Sequence, residues 1–478
     1  MQSGAATKNR SEGDRHNVSN VVRERISGGI YHAGDKVASV REMSQQLGVT
    51  VSIVLEGYRQ LESEGVIVAK PQSGFYVQLS ATRKLVPTAY TQPPRRPMEL
   101  KSESIVRSVL RDIRNPNVVQ LASASPDSAL LPARALSRLL GKVARDMPEE
   151  CLSYAGVVGY RPLREQIAKR MFAASVAVSP DEILVTAGGS EALNLCLRAV
   201  CKPGDIVAVE SPTYYATLLA CRSLNLRVLE VSTHTADGMS LNALHDLLET
   251  YDVSAVVLTP SFGNPLGSLM PDENKSKLVK MLAEKKVALI EDDVYGDLGF
   301  GSTRPIAAKA FDREGMVLYC SSFSKTLAPG FRIGWVIGGK YQDQIELLKF
   351  ATSASTASPQ QIAIADFLVF QRYSHHVRRA AKAYQANTIR MADAVRRYFP
   401  EGTIVNKPQG GFVLWVQAPD FVDSLTLYER AVNQGIVFMP GPAFSARETG
   451  YRNFLRLNAS QWNPEVEAAV KTLGRLAN

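Results

Sequence analysis

The sequence predicts a multidomain protein. A small helical module closed by a β-hairpin comes first. A larger α/β domain follows, with a mostly parallel sheet and a smaller C-terminal α/β subdomain. Three observations point there. The chain has 478 residues, too many for one ordinary domain. Within the first 80 residues, helical spacing gives way to two short β-type runs joined by a turn. From about residue 115, short apolar runs alternate with helical stretches, the pattern of a parallel sheet covered on both faces.

Composition narrows the function classes. At 45% hydrophobic and 21% charged, the chain is ordinary globular material. No apolar run approaches the roughly 18–20 residues of a membrane span. The start, MQSGAATKNRSEGDRH, lacks the apolar stretch of a secretory signal. Residues 1–15 read as a disordered tail, and the expected location is the cytoplasm. Five irregularly spaced cysteines argue against a disulfide framework, and without a Cys-x-x-Cys no metal is expected. The net charge of +9 suits a nucleic-acid partner.

The N-terminal module is read over 16–80. Val18, Val21, Val22 and Ile26 give a helix that stops at Gly28-Gly29. Ser39 caps a second helix, with Glu42 placed for a capping box, and Gly48 ends it. Thr50 opens a third, whose Ile53, Val54 and Leu61 face a core. Val66–Ala69 and Phe75–Val77 form a hairpin around Pro71-Gln72-Ser73-Gly74. This order is a winged helix-turn-helix. Residues 81–114 hold Pro87, Pro93, Pro94 and Pro97 and carry a net charge of +5. They are read as a semi-stiff, solvated linker, with contact to phosphates as the alternative.

Gly34-Asp35, Ser39-Val40-Arg41-Glu42, Gly48-Val49-Thr50, Tyr58-Arg59-Gln60-Leu61-Glu62 and Ser73-Gly74-Phe75-Tyr76-Val77 resemble the GntR-type winged helix-turn-helix family. The resemblance implies an operator in double-stranded DNA, with the third helix in the major groove. It implies that Arg41 clamps a phosphate, that Thr50 and Ser52 place hydroxyls on the backbone, and that Gly74 nears the minor groove. The sequence departs from the family at three places: Val51 and Ile53 stand where an Arg and a Thr are usual, and Ala38 where a Pro precedes Ser39. Bidentate arginine readout of guanine is missing at Val51, and apolar contact with thymine methyls is the substitute.

In the large domain (115–478), Ile183–Thr186, Ile206–Val209, Ala255–Leu258, Val287–Ile290 and Val317–Tyr319 read as buried strands. A long basic helix near 374–398 leads into a C-terminal subdomain of about 374–478. The motifs sit at strand ends. Ser321-Ser322-Phe323-Ser324-Lys325-Thr326 runs on into Pro329-Gly330-Phe331-Arg332-Ile333-Gly334. Glu291-Asp292-Asp293-Val294-Tyr295 ends a strand. Thr186-Ala187-Gly188-Gly189-Ser190-Glu191 joins a strand to a helix, and Asn264-Pro265-Leu266-Gly267 lies in a loop.

These segments, in this order, resemble the fold-type I, pyridoxal phosphate (PLP)-dependent aminotransferases, from about residue 115 to the end. The resemblance implies that Lys325 forms the Schiff base with PLP. It implies that Asp292, with Asp293 as rival, holds the pyridine nitrogen protonated. Tyr295 and Asn264 would bond the ring hydroxyl, and Tyr214, or Tyr215, would stack on the ring. The phosphate would lie on Gly189, Ser190, Ser322, Ser324 and Arg332, a glycine-rich helix start reinforced by hydroxyls and a guanidinium. Tyr154 matches a tyrosine reaching the neighbouring subunit's phosphate, which implies a homodimer. Arg456 matches an arginine that takes a ligand carboxylate.

The two resemblances together match the MocR subfamily of bacterial regulators. They imply a PLP-dependent, DNA-binding transcriptional regulator. It would sense an amine or amino acid that displaces Lys325 to form an external aldimine. A working aminotransferase with an attached DNA-binding module, and a sensor of PLP itself controlling vitamin B6 genes, are the alternatives.

Overall fold

The computed structural model describes residues 18–26, 30–31, 34–63, 66–70, 73–77, 91–100, 104–447 and 449–478. The tail read at 1–15 and part of the linker lie outside them. The chain divides into two compact units, Met1–Val86 and Pro87–Asn478.

In the first unit, residues 18–26 are helical, followed by helices Val40–Leu47 and Val51–Ser63. The capping box forms as the spacing predicts. Ser39 Oγ accepts from Glu42 N at 3.2 Å, and Glu42 Oε2 accepts from Ser39 N at 2.7 Å. Gly48 ends that helix at φ 68°, the left-handed conformation that glycine adopts without a Cβ clash. Strands Ile67–Lys70 and Gly74–Val77 pair antiparallel. Val18, Val22, Met43, Val54, Tyr58 and Leu61 close one apolar core beneath them. Tyr58 keeps its hydroxyl satisfied on Ala38 O at 2.7 Å.

The second unit is built on an eight-stranded sheet. Its order is Ile183–Thr186, Gly334–Ile337, Val317–Ser322, Ala288–Asp292, Val253–Leu258, Ile206–Ser211, Arg227–His234, Gly238–Met239. The five strands from Val317–Ser322 to Arg227–His234 run parallel. Gly334–Ile337 runs against both its neighbours, so it is the reversed interior strand. Successive side chains alternate between faces. Val207, Val209, Val257 and Ile290 enter one core, while Ala208, Val256, Leu258 and Leu289 enter the other.

A 26-residue helix, Tyr373–Tyr398, leads to a four-stranded sheet of Ile404–Val405, Val413–Gln417, Phe454–Asn458 and Met439–Pro440. The region read as linker at 81–114 differs from that reading over most of its described length. Met98 bridges Val228 at the sheet edge, and Thr91 bonds Thr233. Helix Ser104–Asp112 buries Val106 and Val109 in the core of the C-terminal subdomain. Its apolar residues recur on one face, and that face had to be covered. The short strand Val119–Gln120 likewise pairs with Ile436–Val437.

Candidate cofactor and ligand site

The carboxyl ends of the parallel strands converge, as ligand sites in open α/β sheets do. Asp292 ends one strand and Ser322 the next. Beside them, the strand Ile183–Thr186 turns into helix Gly189–Val200 through Gly188, at φ 86°. A Cβ on Gly188 would stand 2.2 Å from an Arg332 nitrogen, so only glycine lets that guanidinium approach. The first amides of the helix open toward the same space.

The cavity between them measures about 270 Å³. Ten of the residues singled out in the sequence line it: Lys325, Asp292, Tyr295, Asn264, Tyr214, Gly189, Ser190, Ser322, Ser324 and Arg332. Two do not. Tyr154 is 87% exposed, and Arg456 is wholly buried behind the lining. Tyr215, the alternative to Tyr214, is packed against it with ring centroids 4.7 Å apart and does not line the cavity.

Asp292 and Asp293 separate cleanly. Asp293 Oδ2 accepts from Arg304 Nη2 at 2.6 Å and from Tyr319 Oη at 2.7 Å, on the far side of the sheet. Asp292 faces the cavity, and its Oδ1 is buried with no hydrogen-bond partner. Burial, then the charge of Asp293, pushes the Asp292 carboxyl up to about 7.

Lys325 donates to Ala124 O at 2.7 Å. Burial first, then the charge of Arg456, lowers its ammonium to about 8. A neutral, nucleophilic amine is therefore available near physiological pH. Arg332 sits at φ 54°, a left-handed backbone uncommon for a non-glycine residue. Its guanidinium is held by Ser324 Oγ at 3.4 Å and Ala187 O at 3.1 Å. Arg456 donates to Ala122 O, while its Nε and Nη1 are buried and unpartnered. A buried guanidinium left partly unpaired is costly, which marks a place for an acceptor.

Sequence reasoning missed the strap 121–125. Lys325 and Arg456 grip its carbonyls at Ala124 and Ala122, Asn458 Nδ2 holds Ser125 O at 3.0 Å, and Ser125 lines the cavity. It acts largely through backbone oxygens, which no residue type announces. His376 was missed as well. Its Nε2 lies 2.7 Å from Thr326 O, next to Lys325.

These residues fit PLP. Asp292 Oδ1 and Asn264 Oδ1 are buried orphans facing one space, a reactive amine points into it, and a cradle of amides, hydroxyls and a guanidinium closes one end. Two family models match the chain. Residues 116–473 match "Aminotransferase class I and II", and residues 15–77 match "Bacterial regulatory proteins, gntR family". The uncharacterized HTH-type transcriptional regulator YdcR of Escherichia coli is 40% identical, over 95% of this chain and 97% of its own. The chain belongs to the MocR-type regulators. Such a regulator joins a gntR-family reader to an aminotransferase-like domain, and its cofactor is PLP. The cofactor domain is also similar to solved enzymes. Pyrococcus horikoshii kynurenine aminotransferase, in complex with PMP, is 30% identical with a TM-score of 0.73, over 79% of this chain and 95% of its own. LysN of Thermus thermophilus, complexed with N-(5'-phosphopyridoxyl)-L-leucine, is 28% identical at TM-score 0.71, over the same shares.

In the reader, Arg41, Thr50, Ser52 and Gly74 are all exposed. Gly74 closes the hairpin at φ 103° opposite Lys70. Val51, at the start of helix Val51–Ser63, is 45% exposed and Ile53 is half-buried. Val51 therefore presents its methyls outward, while Ile53 packs against the module's core.

Proposed function

We propose that this PLP-dependent regulator senses an amino acid, an amine bearing a carboxylate, and transmits its presence to operator DNA. The observation that carries the reading is Arg456: a wholly buried guanidinium with two unpartnered nitrogens, close enough to depress the Lys325 ammonium.

Bound in the cavity, PLP would supply an electrophilic carbonyl reactive toward primary amines. The chain's own residues do the rest. Gly189, Ser190, Ser322, Ser324 and Arg332 hold the phosphate end. Asp292 would keep a proton at the pyridine nitrogen, Tyr295 and Asn264 would hold the ring hydroxyl, and Tyr214 would cover the ring. Arg456 selects a carboxylate by a bidentate pair. Lys325 Nζ, when it is not holding the cofactor, donates to Ala124 O. Arg456 leaves or shares Ala122 O as it takes the ligand. Both contacts act on the strap 121–125, which is tied to the C-terminal subdomain through Asn458. An effector shifts the regulator only by binding its two states unequally.

The reading includes a homodimer, with Tyr154 reaching the second subunit's phosphate, and a cytoplasmic location. It includes Arg41, Thr50, Ser52 and Gly74 as contacts to the DNA backbone and minor groove. No helix among the described residues is long and apolar enough to cross a membrane.

The test is affinity for DNA upstream of the protein's own gene, measured without PLP, with PLP, and with PLP plus a panel of amino acids and simple amines. We expect one amino acid to change that affinity, the matching decarboxylated amine to act far more weakly, and Lys325→Ala to abolish the response. Affinity indifferent to PLP and to every amine would sink the reading. Response to PLP alone would favour a PLP sensor.

A further inference from the structure

A second cavity, about 420 Å³, lies beside helix Tyr373–Tyr398 and the loop after Tyr295. Its floor is a half-buried ion network. Asp297 Oδ2 accepts from Arg170 Nη2 at 2.9 Å, and its Oδ1 from Arg304 Nε at 2.7 Å. Arg304 Nη2 also reaches Asp293. Two guanidinium charges are thus met by two carboxylates. Arg378 and Lys382, one helical turn apart on Tyr373–Tyr398, line the same cavity and are exposed. Among the described residues, no carboxylate pairs with either, and Asp297 is the only acid lining the cavity. Ser302 and Thr303 add hydroxyls along the wall.

We propose that this cavity binds a small phosphate monoester, gripped by Arg378 and Lys382, and that its occupancy is linked to that of the cofactor cavity. A phosphate monoester carries about −1.5 to −2 at neutral pH, which matches the two uncompensated cations. A lone carboxylate carries half that charge, and the floor guanidiniums already have one in Asp297.

The link is physical. The segment from Asp292 to Asp297 lines both cavities: Asp292 and Tyr295 face the first, Gly296 and Asp297 the second. Arg304 clamps Asp293 and Asp297 together, so the segment moves as one piece. On the other wall, helix Tyr373–Tyr398 carries Arg378 and Lys382 and also His376, which holds the carbonyl beside Lys325. A ligand drawing on this helix or on Arg304 biases residues of the cofactor cavity, and by linkage the effect is reciprocal.

The experiment uses the full-length protein saturated with PLP, so that the cofactor's own phosphate cradle is filled. Calorimetric titration with glycerol phosphate at low salt should show one saturable site per chain, and acetate, with a single charge, should bind more weakly. Arg378→Ala combined with Lys382→Ala changes only exposed side chains. It should weaken the glycerol phosphate site by about tenfold or more, as expected for losing two charge-assisted contacts. It should leave the absorption spectrum of bound PLP unchanged. The rate of PLP release into a scavenger should change with glycerol phosphate in the parent and not in the double variant. No saturable binding, or binding indifferent to the double substitution, overturns the site. Binding without any effect on PLP release overturns the link.

Discussion

The two ends of the chain present their chemistry in opposite ways. In the large unit, polar groups are buried and left short of partners: Asp292 Oδ1, Asn264 Oδ1 and two nitrogens of Arg456. In the small unit, Arg41, Thr50, Ser52 and Gly74 stand in solvent. A buried orphan carries a desolvation cost that the fold does not recover, and where Asp292 Oδ1 and Asn264 Oδ1 face one cavity they mark a place for a ligand. An exposed cation or hydroxyl carries no such cost and declares nothing by itself. The cofactor end can therefore be argued from energetics, and the DNA end only from its shape and resemblance.

Lys325→Ala should break the cofactor end most completely. Covalently held PLP, read as label retained after borohydride reduction, should vanish while the circular dichroism spectrum stays native.

Next in size is the contrast between two adjacent acids. Asp293→Asn removes one of the two carboxylates that meet a largely buried Arg304, Asp297 being the other, and should cost about 1–3 kcal/mol, seen as a fall in thermal midpoint. Asp292→Asn removes an orphan carboxylate, so the apoprotein should be no less stable, while PLP binds more weakly. Equal destabilisation by both would contradict the two-sided strand end.

Arg456→Met should leave apoprotein stability unchanged or higher, since it replaces an unpaired buried charge. It should weaken a carboxylate-bearing effector by about 1.5–3 kcal/mol and spare simple amines.

The shifted groups give a pH dependence with opposing signs. Lys325 is lowered to about 8, so attachment of PLP to the apoprotein should speed up as pH rises through about 8, well below an ordinary lysine. Between about 8 and 10.5 the unfolded chain holds the extra proton, so this residue makes the apoprotein more stable as pH rises there. Asp292, raised to about 7, acts the other way. Between 3.8 and about 7 the folded chain holds the extra proton, and its contribution to stability is lost as pH rises through that window. A rate profile for PLP attachment with its midpoint above pH 10 would refute the lysine shift.

The smallest effect is expected at the reader. Val51→Ala should cost less than about 1 kcal/mol of DNA affinity, confined to operators with a thymine at the contacted position, because it removes only methyl contact. Uniform loss across operators would place Val51 outside the base-reading face.

Much of this was legible in the sequence. Four of the five parallel strands, Ile206–Ser211, Val253–Leu258, Ala288–Asp292 and Val317–Ser322, hold the apolar runs read in the sequence, and site residues follow them at short offsets. The fifth, Arg227–His234, is broken by Glu230 and was not read. The capping box at Ser39 and Glu42 was readable because it needs only local spacing. Other features were not. Gly334–Ile337 is a four-residue run behind the lysine motif, and nothing local reveals that it reverses direction inside the sheet. Helix Ser104–Asp112 sits among prolines and charges, and its burial depends on a surface some 300 residues later in the chain.

By itself, then, the sequence determined which residue types could do the chemistry and the order in which strands would deliver them, because strand periodicity and turn spacing are local. Only the tertiary structure decided which way each neighbour faces. It turned Asp292 to the cavity and Asp293 to Arg304, left Arg456 buried with nitrogens to spare, and laid the carbonyls of Ala122 and Ala124 under two cations. The first depends on contacts 11 and 26 positions apart and the others on contacts across hundreds, and in each the cost of an unpaired buried charge is set by what else the fold brings near.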